Sequence, residues 1–133
     1  MTVPAVRERL LGEHRPTLRR ALACADAVAA GWDGESTDDR DAVAGPYETV
    51  LREAGLLESL LGALVEAMEF TGERLAAQPV ADVPYVAVTA EGVVLRGPTP
   101  DGRVVVTLQA FERDPYRRGP DLPEALAVER RGT

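Results

Sequence analysis

Lysine, isoleucine and asparagine are absent from this chain, and cysteine and histidine occur once each, as Cys24 and His14. A single cysteine excludes an intramolecular disulfide, and Cys24 with His14 leaves no ligand set for a structural zinc site. Serine is nearly as scarce, present only as Ser36 and Ser59, so the raw material of most hydrolytic triads is missing. No G-x-G segment occurs, and without lysine there is no Walker-type phosphate loop. The expectation is a chain with no catalytic residue, cofactor or metal, and not an enzyme.

The basic residues are of one kind. All 15 are arginine, set against 22 carboxylates, for a net charge of −7. A GC-rich genome favours Arg codons over Lys, Ile and Asn codons. High intracellular salt favours carboxylates, which hold their hydration when the Debye length shrinks to about 3 Å near 1 M salt, and screening then cancels self-repulsion. A salt-loving archaeon is the preferred source, and a GC-rich bacterium the alternative. The charge is uneven along the chain. Residues 1–31 hold five arginines and three acids, residues 32–82 three arginines and twelve acids, and residues 83–133 seven of each. The middle is the acidic surface, and the two ends are where an anionic partner would be met.

Uninterrupted apolar runs are missing too. Arg19–Arg20 before an apolar stretch imitates a twin-arginine signal with a lipobox at Cys24, but no apolar run precedes Cys24, and Asp26 interrupts the run that follows. The longest apolar segment, 56–77, carries Glu58, Glu66, Glu69 and Glu73, too many carboxylates for hydrocarbon. The chain reads as cytoplasmic, without a membrane span.

What is present is enough for a core: 133 residues, 45% of them apolar, suit a single domain. Val6, Leu10, His14, Leu18, Leu22, Ala25, Val28 and Trp32 recur at helical steps, with Pro16 breaking the run near Arg15 and Gly31 ending it. A polar connector, 32–41, precedes a second helix within 38–54, with Gly45–Pro46 near its start. The third and strongest helix, 56–77, has Leu57, Leu60, Leu61, Leu64, Val65, Met68 and Leu75 on one side and Gly62, Glu66, Glu69 and Glu73 on the other.

After Pro79 the period changes. Tyr85–Thr89, Val93–Arg96 and Arg103–Phe111 read as strands separated by Ala90-Glu91-Gly92 and a turn cluster at 97–102. The fold class is α+β: about three N-terminal helices, then a three-stranded antiparallel meander packed on them. The domain spans 1–118, and 119–133 is a polar C-terminal tail, disordered or a short helix begun at Asp121-Leu-Pro-Glu124.

Several constellations invite chemistry. Three helices and a hairpin suggest a winged helix, but its recognition helix would offer phosphates four glutamates and only Arg74. Asp33, Glu35, Thr37, Asp39 and Asp41 alternate like calcium ligands, yet lack the glycine and glutamate such a loop needs, so a helix-capping linker is the reading. His14 is read as a partly buried, hydrogen-bonded ring and Cys24 as a small buried thiol. The candidate partner surface is Arg96, Arg103, Val105, Phe111, Arg113, Tyr116, Arg117 and Arg118. On it the strand face of Val105 and Phe111 stays uncovered, and the last strand offers a free edge.

The segments Pro79-Val-Ala-Asp-Val-Pro-Tyr-Val-Ala-Val-Thr89, Val94-Leu-Arg96, Asp101-Gly-Arg-Val-Val-Val106 and Phe111-Glu-Arg-Asp-Pro-Tyr-Arg117 resemble a family of small uncharacterised proteins from halophilic archaea, over about 36–118. The resemblance implies a salt-adapted protein and brings no activity. The expected function is a non-catalytic interaction or self-associating module. The alternatives are a nucleic-acid binder through the arginines around Tyr116, and a small-ligand domain between helices and sheet.

Overall fold

The helical rhythm of the first thirty residues is realised as two helices. In the computed structural model, which describes residues 3–132, α1 (Val3–Glu13) and α2 (Arg15–Ala30) meet at His14. Pro16 has no N–H to return to the preceding turn, and the Arg15 side chain bonds the Leu11 carbonyl at 2.9 Å. Gly31 follows the last residue of α2, as expected.

The acidic connector then pins itself. Ser36–Thr37 forms a short strand, β1, and the Asp39 carboxylate caps a 3-10 turn (Arg40–Ala42) by accepting from the Asp41 N–H at 3.0 Å. Helix α3 (Ala44–Glu53) is followed by Gly55 at φ 70°, a left-handed turn that glycine adopts without steric cost. Helix α4 is Leu56–Phe70, seven residues shorter than the apolar stripe suggested. Gly72 turns left-handed there, and the Glu73 N–H closes on the Met68 carbonyl at 2.8 Å.

The β part departs from a three-stranded meander. Strands β2 (Val86–Val88), β3 (Gly92–Thr99) and β4 (Gly102–Gln109) pair in that order, and a fourth strand, β7 (Leu126–Gly132), pairs antiparallel along the far side of β4. The segment expected as a tail or helix therefore completes the main sheet. Only its entry keeps a helical turn, from the Ala125 N–H to the Asp121 carbonyl at 3.0 Å. A second sheet, in the order β1-β6-β5, joins the acidic connector to β5 (Phe111–Glu112) and β6 (Tyr116–Arg118).

Helices cover one face of the large sheet: α1 lies against β7, α4 against β3 and α3 against β2. Val93, Leu95, Val104, Val106, Leu108 and Leu126 point inward to Leu60, Leu64 and Met68 of α4 and the rest of the core. Gly97 belongs to this inner row because a Cβ there would lie 2.3 Å from the Met68 sulfur. Pro98 is tolerated beside it because β2 spans only the Val93–Leu95 part of β3.

Two features that suggested self-association do not hold. The free edge assigned to the last expected strand is occupied by β7. The face assigned to Val105 and Phe111 is not open either: these residues are 5% and 0% exposed. The strand alternation stops at Ala110, where the Ala110 and Phe111 N–H groups both bond the Glu91 carbonyl, at 2.8 and 2.9 Å. Both residues then face inward. Phe111 meets Tyr47 edge-on at 5.2 Å between ring centroids and Trp32 at 5.8 Å.

Candidate functional site

Helix α4 buries Leu57, Leu60, Leu64 and Met68 on its inner side. Helical spacing then places Glu58, Gly62, Glu66 and Glu69 along the other side. Residues 78–82 run back past that side, anchored by the buried Pro79. Between them lies an open groove of about 780 Å³. Leu61, Gly62, Val65 and Val80 give it an apolar floor, and Glu58, Glu69 and Asp82 an acidic rim.

Gly62 has no internal reason to be glycine. A Cβ there would meet nothing within 4 Å, and its φ is ordinary, while glycine inside a helix costs about 1 kcal/mol relative to alanine. What its missing side chain does is hollow the groove.

Glu66 lines the groove between Gly62 and Glu69 and is held from two sides. Arg9 of α1 holds it with two hydrogen bonds, Nε to Oε1 at 3.1 Å and Nη2 to Oε2 at 2.8 Å. His14 Nε2, at the junction of α1 and α2, lies 2.6 Å from the same Oε1. These two partners hold the Glu66 carboxyl down at about 2, Arg9 contributing most. Arg9 also covers the ring of Phe70, its guanidinium carbon 3.7 Å from the ring centroid.

Three large apolar side chains of the described residues are exposed, and one of them, Val80, lines the groove. Phe70 is 64% exposed, Val80 57% and Val83 68%. Val83 follows the last rim residue of the groove, and Phe70 lies one helical turn beyond Glu66. No serine, threonine, cysteine or tyrosine lines it, so His14 faces no nucleophile there. Burial pushes the Cys24 thiol up, away from thiolate character. Among the described residues no three His, Cys, Asp or Glu side chains form a metal-binding group, and no helix is long and apolar enough to cross a membrane.

The arginine surface expected from the sequence is dispersed. Arg118 is structural: it donates to Asp26 at 2.7 Å and to the Ala110 carbonyl, and its guanidinium stands 5.9 Å from the ring of the buried Phe111. Arg113 pairs with Glu91 at 2.8 Å. Tyr116 and Arg117 sit in β6, opposite Thr37 and Ser36. Only Arg96, Arg103 and Val105 remain together, on the sheet face turned away from the helices. Arg9, Glu66, Phe70 and Val80 were not anticipated. The one signal for them is a glycine placed among glutamates on an otherwise strong helix.

No curated protein and no solved structure matches the chain. Residues 4–131, from the first turn of α1 to the end of β7 and so well beyond the 36–118 span of the resemblance, match the family described as Domain of unknown function (DUF7988), and the chain belongs to that family.

Proposed function

We propose that this chain is a non-catalytic interaction module that docks a basic, amphipathic polypeptide segment of a partner protein in the groove beside α4. The observation that carries this reading is the coincidence of exposed Val80 with an apolar floor and a carboxylate rim, with exposed Phe70 one helical turn beyond Glu66 on the same helix. Exposed apolar side chains that cluster, rimmed by polar groups, mark interaction sites. The rim sets the sign of the partner: Glu66 is neutralised by Arg9, whereas Glu58, Glu69 and Asp82 have no cation bound to them among the described residues. Gly62 and the salt-tolerant acidic surface fit the same picture, that of a cytoplasmic protein from a salt-rich cell.

The test is binding of two synthetic peptides of identical apolar pattern, one carrying arginines and one glutamates, to the full chain and to Gly62→Leu. A protein of charge −7 attracts any cation weakly, so the discriminating variant changes no charge. The arginine peptide is expected to bind, the glutamate peptide not, and Gly62→Leu to weaken binding about tenfold while its melting temperature holds or rises. Equal binding by Gly62→Leu and the unaltered chain overturns the groove as the docking site.

A further inference from the structure

The sheet face turned away from the helices carries a feature unrelated to the groove. Along β3 and β4 the outward positions are Val94, Arg96 and Pro98, and Arg103, Val105 and Thr107. Arg96 stands opposite Val105 and Pro98 opposite Arg103. Arg96 and Arg103 are thus diagonal neighbours on one face, within reach of a common point for side chains of their length. Between Tyr85, Pro84 and Pro98 they border a hollow of about 400 Å³, at the small end of the range for organic ligands.

The charge pattern of this hollow is the reverse of the molecule's. Carboxylates outnumber arginines by seven in the chain, yet none lines the hollow. Arg9, Arg52, Arg113, Arg118, Arg130 and Arg131 each hold a carboxylate. Arg103 has no hydrogen-bond or ion-pair partner among the described residues, and Arg96 gives one hydrogen bond, from Nη1 to the Pro84 carbonyl at 3.2 Å. Glu129, across Val105 from Arg96, is already taken by Nε and Nη2 of Arg131, at 2.9 and 2.6 Å. Like charges within reach of a common point repel, and an anion seated between them offsets that repulsion.

We infer that this hollow is a second binding site, for a small organic anion whose carboxylate or phosphate monoester lies between Arg96 and Arg103 and whose flat apolar body rests on Tyr85, Pro84 and Pro98. Guanidinium groups match both oxyanions in planar, charge-assisted hydrogen bonds. The bond to Pro84 orients Arg96 before the ligand arrives, while Arg103 is free to close on it. Tyr85 packs in part against the core, which fixes its ring as one wall. The hollow shares no lining residue with the groove beside α4, so the two sites stand or fall separately.

The test titrates benzoate, phenyl phosphate, inorganic phosphate and anilinium into the isotope-labelled full chain, following backbone amide shifts. At least one aromatic anion is expected to shift the amides of 85, 96 and 103 saturably in the millimolar range, and anilinium not to. Tighter binding of benzoate assigns a carboxylate ligand, and tighter binding of phenyl phosphate a phosphate monoester. Inorganic phosphate is expected about tenfold weaker than phenyl phosphate for lack of the apolar body. Arg103→Gln, which removes no hydrogen bond or ion pair of the described residues, is expected to weaken binding about tenfold, and Arg113→Gln to leave it unchanged. Absence of saturable shifts at these amides with both aromatic anions, or equal binding by Arg103→Gln, overturns the site.

Discussion

Glu66 ties three parts of the helical layer together, because α1, the α1–α2 junction and α4 all meet at its two oxygens. Its folded-state carboxyl sits at about 2, below the ordinary 4.5. Between those values the unfolded chain binds a proton that the folded chain does not, so stability rises with pH across that window. The contribution of Glu66 is therefore complete above about 4.5 and lost as the pH falls through 2. Glu66→Gln is expected to be less stable than the unaltered chain at neutral pH, the gap narrowing on acidification through that window. Denaturant midpoints measured at stepwise lower pH check this, and a gap independent of pH rejects it. The sequence placed Glu66 correctly on the polar side of its helix and His14 among partly buried, hydrogen-bonded rings. It did not join them, because 52 residues separate the two and local periodicity carries no information about contacts at that range. Phe111 escaped for a related reason: two N–H groups sharing the Glu91 carbonyl, some twenty residues back, interrupt the alternation and turn Phe111 inward.

At the scale of elements, the helices were legible and the last strand was not. Pro16, Gly31, Gly45–Pro46 and Gly55 punctuate the chain where the helices begin and end, each through a fixed backbone preference. Strand β7 has only two inward apolar residues, Leu126 and Val128. Its third inward position is Arg130, whose charge is met by Glu73 beyond the end of α4. A sheet edge carrying Glu129, Arg130 and Arg131 reads as solvated tail, yet such charges are what discourage an edge from pairing with another chain. Arg7 of α1 protects the start of the same edge by bonding the Leu126 and Pro123 carbonyls at 3.1 and 2.8 Å. The register makes a sharp prediction, since a slip by one residue exchanges the two faces. Leu126→Ala is expected to cost about 2–5 kcal/mol of unfolding free energy, and the outward Ala127→Ser at most about 0.5 kcal/mol. Urea unfolding of the two variants decides it, and comparable losses would mean that β7 is not paired as described.

For the whole molecule the governing quantity is charge at two distances. The attractive pairs are contacts: Arg9–Glu66 and Arg113–Glu91 close at 2.8 Å, Arg52–Glu48 at 2.9 Å and Arg118–Asp26 at 2.7 Å. The repulsion is spread among the twelve acids of residues 32–82, which face three arginines. A Debye length of about 10 Å at 0.1 M leaves both in force, whereas about 3 Å at 1 M removes the long-range part and spares hydrogen-bonded contacts most. Added salt also strengthens burial of the aliphatic core to the extent that the ions are excluded from the surface. The two effects act in one direction, so the melting temperature is expected to climb steadily between about 0.1 M and about 2 M KCl. Arg52→Gln supplies the internal control. Its pair with Glu48 is an exposed contact within one helix, worth at most about 1 kcal/mol, so the variant should follow the same rising curve at a small, nearly constant offset. A melting temperature indifferent to KCl would show that repulsion among the middle acids does not limit stability, and the arginine-only composition would then reflect codon usage alone.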